Sequence, residues 1–317
     1  MRNGLSALLG LALLLLPAVG RAMELPPALQ QGDLAAWSER VDWPEGCQPE
    51  AMPPSPLKVA RLDGNDWLLL AACESYAYQL RYRAWRVRGD DAGILTALPL
   101  LFPFRIVWQD QATLAWRPEL VGLADVDGDS LTLTTKARGL GDCGERIVWD
   151  LSQPLPVALD YRSQPDCPDA PSEADADPNN WPAVAGTWLK AHRPADRSWQ
   201  AAQTLARLQA DSPQLAWLAG SLVAAEAGCD GATDRWVLGL DDGQEPPEIS
   251  LFAAASGERI GPFPVDSERQ DGLCGIDATL SVETGQRCPV LKIDDGRCDA
   301  LRISRDPDQL RWTVERN

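Results

Sequence analysis

The sequence predicts a mainly β protein with a short helical segment, arranged as an all-β antiparallel N-terminal domain followed by an α+β C-terminal domain. Three observations carry that reading. Short runs with period-two alternation recur along the chain, turn residues separate them, and only the region near residue 200 spaces its apolar residues as a helix does. Leu131 to Asp150 is the clearest stretch. Leu131 and Leu133 face one way and Thr132 and Thr134 the other, and Ile147 and Trp149 resume the alternation. Between them lies Arg138-Gly139-Leu140-Gly141-Asp142-Cys143-Gly144, whose three glycines let the backbone bend through positive φ while Cys143 can pin the loop to another segment.

Taken in order, the chain opens with a candidate signal peptide over residues 1–22. Arg2 precedes an apolar run from Leu5 to Leu16, and Gly20-Arg21-Ala22 suits cleavage before Met23. The run is too short for a membrane span of ~20 residues, so no transmembrane segment is expected after cleavage. The expected location is periplasmic or secreted. The next expected domain, 23–164, begins with a short helix over Asp33 to Val41 and a Pro-rich stretch from Pro49 to Pro56. Strands follow at Leu57 to Arg61, Asp66 to Ala72, Gln79 to Arg88, Phe104 to Trp108 and Ala112 to Trp116. Turns are expected at Asp63-Gly64-Asn65, Gly89-Asp90-Asp91 and Asp127-Gly128-Asp129.

Composition shifts to Pro, Asp, Ala and Asn between Ser163 and Asp196, which predicts a linker over 165–195 with an exposed, mobile centre from Asp169 to Asn180. In the second domain, 196–317, Ser198 caps a helix from Trp199 to Ala210, and Ser212-Pro213 starts a second helical turn toward Trp217. Strands then return at Leu222 to Ala227, Arg235 to Leu240, Ile249 to Ala253, Ala278 to Val282, Val290 to Ile293, Leu301 to Ser304 and Leu310 to Val314.

Eight cysteines divide evenly, Cys47, Cys73, Cys143 and Cys167 in the first half and Cys229, Cys274, Cys288 and Cys298 in the second. An even count in an exported chain predicts disulfides closed within each half, with three pairings open to each set. No CxxC occurs and the lone His192 is remote in sequence from the cysteines, so no zinc site and no cofactor are expected.

The net charge of −17 would repel phosphate backbones and attract basic proteins, which argues against a nucleic-acid partner. The basic run from Arg81 to Arg88 puts charged and apolar groups on both strand faces and is read as a sheet surface paired with carboxylates. Asp125, Asp127 and Asp129 resemble the opening of a calcium loop, yet the glycine falls two places early and Lys136 stands at the twelfth position, so a hairpin turn is the preferred reading.

With one histidine and no nucleophile elbow, a Ser-His-Asp or Cys-His mechanism lacks its parts. Ligand-binding candidates are Arg138 and Asp142 in the glycine loop and Glu74, the acid to inspect for burial. Of thirteen tryptophans, Trp67, Trp85, Trp108, Trp116 and Trp149 are expected in the core, while Trp181, Trp188 and Trp199 are candidates for an interdomain or partner surface.

The run Ala137 to Gly144 followed by Trp149, Cys167 and Trp181-Pro182, together with Cys73 and the Ala77-Tyr78 pair in Leu69 to Gln79, resembles the bacterial domain of unknown function 1176 family over about Cys47 to Pro182. The resemblance implies an exported, cysteine-tied protein of Gram-negative type and brings no activity with it. The chain departs from that family in lacking its longer N-terminal part and in adding a C-terminal half. The reading is therefore a non-catalytic binding or envelope-associated module for a protein or cell-envelope ligand, with Arg138 poised to inhibit a basic wall-degrading enzyme. The alternatives are a carboxylate-based glycan or peptidoglycan hydrolase and a structural envelope protein.

Overall fold

The computed structural model describes residues 24–316 except 42, 50–51, 53–55, 64–65, 90–93, 230, 267–271, 285–287, 307 and 309–310. The expected signal peptide, and the turns at Asp63-Gly64-Asn65 and Gly89-Asp90-Asp91, lie wholly or partly outside the described residues.

Two short helices come first, α1 (Pro27–Gln30) and α2 (Leu34–Ser38), the latter capped by Asp33, which accepts from the amides of Ala35 and Ala36. An eight-stranded antiparallel sheet follows, in the order β1 (Leu57–Arg61), β2 (Asp66–Ser75), β3 (Leu80–Gly89), β7 (Leu120–Asp127), β8 (Ser130–Lys136), β9 (Gly144–Asp150), β10 (Val157–Gln164), with β4 (Leu95–Pro99) on β3. Of the second sheet, β5 (Phe102–Trp108) and β6 (Gln111–Arg117) come from the first half of the chain. The rest come from the second half: β11 (Ala216–Leu218), β12 (Val223–Ala225), β13 (Asp234–Asp241), β14 (Glu248–Ala253) and β15 (Arg259–Pro264). A four-stranded sheet of β16 (Thr279–Glu283), β17 (Val290–Asp294), β18 (Leu301–Asp306) and β19 (Arg311–Arg316) completes the fold.

The layers stack as helices, first sheet, second sheet, third sheet, and each contact holds one apolar core. On β2, Trp67, Leu69 and Ala71 pack toward Leu29 and Trp37 of the helices, while Leu68, Leu70 and Ala72 pack toward the second sheet. That is why Trp67 to Ala72 is apolar without interruption: both faces are buried. The central core also takes Trp116, Trp217, Val237 and Phe252 from the second sheet and Leu205 and Leu208 from α4 (Trp199–Asp211). Beyond it, Trp236, Leu238, Ile249 and Leu251 meet Leu280, Leu291 and Ile303 of the third sheet.

The division at 165–195 is therefore one of composition and not of core. β6 pairs directly with β11, Trp116 opposite Trp217, and the central core draws on both sides of that boundary. The 165–195 stretch holds α3 (Gly186–Ala191), so helices are not confined to the residue-200 region. Residues 169–180 are largely exposed but lie back on β10 instead of forming a free tether: Arg162 Nη1 donates to Asn179 O at 2.6 Å and Trp181 Nε1, on a buried ring, to Asp175 O at 2.8 Å. The second helical turn expected after Ser212-Pro213 is instead strand β11, drawn into the sheet between β6 and β13.

Ser198 Oγ caps α4 by accepting from Ala201 N–H at 3.2 Å, as its position before the apolar spacing predicts. All eight cysteines pair within their own halves, as Cys47–Cys73, Cys143–Cys167, Cys229–Cys288 and Cys274–Cys298. Asp66, 3 % exposed, lies between the guanidiniums of Arg86 and Arg88, and Arg86 Nη1 also donates to Leu151 O at 2.6 Å. Burial alone would raise the Asp66 pKa, but the bonds from Arg88 and Arg86 hold it below the usual carboxylate range. Arg81 and Arg83 pair with Glu74 and Glu119, so the basic run is a paired sheet surface.

Candidate functional site

Two loops distant in sequence meet at one end of the first sheet. Residues 76–79 close the β2–β3 hairpin, with Tyr76 N–H donating to Gln79 O at 2.9 Å. Residues 137–143 close the β8–β9 hairpin, with Ala137 N–H donating to Cys143 O at 3.0 Å. Gln79 Oε1 accepts from Lys136 N–H at 3.1 Å, and a Cβ on Gly139 would lie 3.6 Å from the Tyr78 ring. Cys73 and Cys143 tie the two hairpins to Cys47 and Cys167. Gly144, at φ +143°, has no room for a side chain, since a Cβ would stand 1.9 Å from Thr135 O.

Arg138 is committed within this loop. Its Nε donates to Asp142 Oδ1 at 2.8 Å, its Nη2 bonds both Asp142 Oδ2 and, at 2.6 Å, Pro168 O. The fork thus braces the glycine loop against the chain beside Cys167 instead of projecting toward a partner. It also holds the Asp142 carboxyl, 1 % exposed, below the usual carboxylate range. Glu74 is not buried: it accepts from Tyr76 OH at 3.1 Å and pairs with Arg81 at 2.8 Å. What the face exposes is Tyr76 (43 %), Tyr78 (42 %) and Leu140 (67 %), none of which sequence reasoning selected. Their signal was present, as apolar side chains inside tight turns next to cysteines.

A second concavity opens where β3 changes neighbours. Tyr82 pairs with Leu120 of β7 and Trp85 with Pro99 of β4, leaving Arg83 and Ala84 between the two partners. Here β4 leaves the first sheet for β5 and β6 returns to it as β7, and α4 roofs the gap. The cleft measures about 550 Å³ and its walls include Trp85, Leu101, Ala210 and Leu215. Its carboxylates are Glu119, paired with Arg83 at 2.9 Å, and Asp242, paired with Arg117 at 2.5 Å.

A family model described as a protein of unknown function, DUF1176, matches residues 15–184, more than half of the chain. The chain belongs to the DUF1176 family. Nothing among curated proteins matches it, and no solved structure does. The DUF1176 match begins upstream of the expected Cys47 and ends close to the expected Pro182. It takes in β1 to β10 and the whole two-loop face, whereas α4 and Asp242 of the cleft fall outside it.

Other residues singled out in this DUF1176 chain are placed as follows. Asp125 and Asp127 lie exposed on β7, and Asp129 turns away to accept from Asp63 N–H at 2.7 Å. Among the described residues no group of three His, Cys, Asp or Glu is placed to hold a metal ion, and Asp127 pairs with Ser130 across the β7–β8 turn. Among them, too, no helix is long and apolar enough to cross a membrane. His192 is clamped, Nδ1 2.7 Å from Trp188 O and Nε2 2.6 Å from Asp277 Oδ1. Trp188 and Trp199 are half-buried against the central core, Trp199 beneath the Arg88 guanidinium at 4.4 Å.

Proposed function

We propose that the protein is an exported, non-catalytic binding module of the cell envelope that engages a basic protein through the two-loop face. The observation that carries this is the presentation of Tyr76, Tyr78 and Leu140 on hairpin ends held by two disulfides. Aromatic anchors on a braced loop lose little conformational entropy on binding. A chain of net charge −17 attracts a basic partner at low ionic strength. Arg138, held through Nε and Nη2 by Asp142 and Pro168, supports the loop and leaves contact to its neighbour Leu140.

A basic wall-degrading enzyme fits this chemistry, because it meets the protein outside the cytoplasm and carries the opposite charge. The test is digestion of purified cell walls by lysozyme with equimolar disulfide-intact protein, at low and at physiological salt. Inhibition is expected at low salt, weakened by salt and lost in Tyr76→Ala/Tyr78→Ala/Leu140→Ala. Undiminished digestion together with no binding in sedimentation rules the inhibitor reading out.

A further inference from the structure

We propose that the outer edge of β19 is a self-association surface, on which a second copy of this chain lays its own β19 antiparallel to form a two-fold dimer. β19 ends the third sheet. It pairs with β18 in unbroken register from Arg311 to Arg316, and among the described residues no backbone bond reaches the other edge of 311–315. A strand with one neighbour turns alternate N–H and C=O groups outward, where a further strand can bond them. Two other edges are blunted. β15 carries Pro262, Pro264 and a register shift, and β10 is covered where Ser163 N–H donates to Pro182 O and Val184 N–H to Tyr161 O. β19 has neither proline nor glycine, and nothing among these devices protects it.

The residues of the strand specify a second copy as the occupant, because Arg311-Trp312-Thr313-Val314-Glu315 is complementary to itself read backwards. With the two-fold axis at Thr313, Arg311 stands opposite Glu315 of the second copy, Trp312 opposite Val314, and Thr313 opposite its own counterpart. Residues opposite each other share a face, so the two ion pairs and the threonine pair fall on the outer face. The two Trp–Val pairs fall on the core side, where Val314 already lies beside Ile303. Opposite charges, paired threonines and an aromatic ring against a β-branched side chain are each favourable across strands. Moving the axis half a residue toward Val314 sets Arg311 against Arg316 and Trp312 against Glu315, so one register is preferred.

The groups that would pair are available. Arg311 and Glu315 are exposed and have no ion-pair partner among the described residues, and Arg302, across from Glu315 on β18, is engaged by Glu283 at 3.1 Å. Val314 is 42 % exposed although it faces the core side, so the body of the protein stops short of this edge and leaves space beneath it. Trp312 is held in place, its Nε1 donating to Glu258 Oε1 at 2.5 Å and its ring 5.2 Å from that of Trp236, and so loses little freedom on pairing. The net charge of −17 drives copies apart at low ionic strength, so association is expected at physiological salt, the reverse of the dependence for a basic partner.

Sedimentation velocity of the full disulfide-intact protein at physiological salt should show a reversible dimer forming at concentrations below about 1 mM. Glu315→Arg sets arginine against arginine at both ends of the paired strands, Arg311→Glu sets glutamate against glutamate, and each should weaken association at least about tenfold. Mixed in equal amounts, these two variants place every glutamate opposite an arginine and should dimerise with each other. Arg311→Glu/Glu315→Arg in one chain should likewise regain the homodimer. A wild type that stays monomeric to about 1 mM, a dimer indifferent to both single variants, or a mixture that remains monomeric each overturns the proposal.

Discussion

His192 shows how much a single side chain can be asked to do in a chain with no second histidine. Both of its ring nitrogens face acceptors, the Trp188 carbonyl and the Asp277 carboxylate, so the ring must donate twice and is held as imidazolium. Burial on its own would lower its pKa, and the bonds to Asp277 and Trp188 outweigh burial to hold it above 6.5. A group whose folded pKa is raised stabilises fully below its unfolded pKa, and that stabilisation is lost as pH climbs through the folded value. The His192 contribution to urea stability should thus be constant below about pH 6.5 and decline above it. His192→Asn should abolish the decline, and a wild-type profile that stays level to pH 9 would contradict the clamp. Sequence reading set this histidine aside as a catalyst, and nothing in Lys190-Ala191-His192-Arg193 announces a carboxylate 85 residues away.

At the scale of elements, what was legible followed from unbroken alternation. β8 and β9 read correctly because Leu131, Leu133, Ile147 and Trp149 keep one phase and all are buried. β10 was missed because its register shifts between Ala158 and Asp160, so the phase breaks mid-strand. β15 was missed because Gly261, Pro262 and Pro264 read as breakers, although an edge strand tolerates proline. Of the candidate residues, Arg138, Asp142 and Glu74 lie beside the two-loop face in bracing contacts, since a sequence does not reveal which guanidinium is already bonded. The glycine loop is held both by Cys143–Cys167 and by the Arg138 fork, and loop closure assigns the larger share to the disulfide. Cys143→Ser/Cys167→Ser should lower the unfolding free energy by about 3 kcal/mol, given a separation of 24 residues. Urea unfolding measures this directly, and an unmoved midpoint would transfer the loop's rigidity to Arg138 and Asp142.

For the molecule as a whole, the composition shift at 165–195 pointed to two domains because polar, Pro-rich sequence is what a linker and a surface excursion have in common. Only strand pairing distinguishes them, and here β5 and β6 cross into a sheet built mostly from the second half. The DUF1176 segment accordingly leaves a covered edge behind when cut away. Residues 24–184 alone would expose the β6 edge that pairs with β11, together with the faces of Phe102, Leu114 and Trp116 that pack against Trp217 and α4. Both of that fragment's own disulfides remain intact, so loss of structure could not be assigned to missing bridges. The fragment should aggregate or fail to give a dispersed amide spectrum, and adding residues 185–316 as a separate chain should recover dispersion in part. A monomeric, cooperatively melting 24–184 fragment would show instead that the family segment carries a sufficient core of its own, and that β11 to β19 dock on a finished domain.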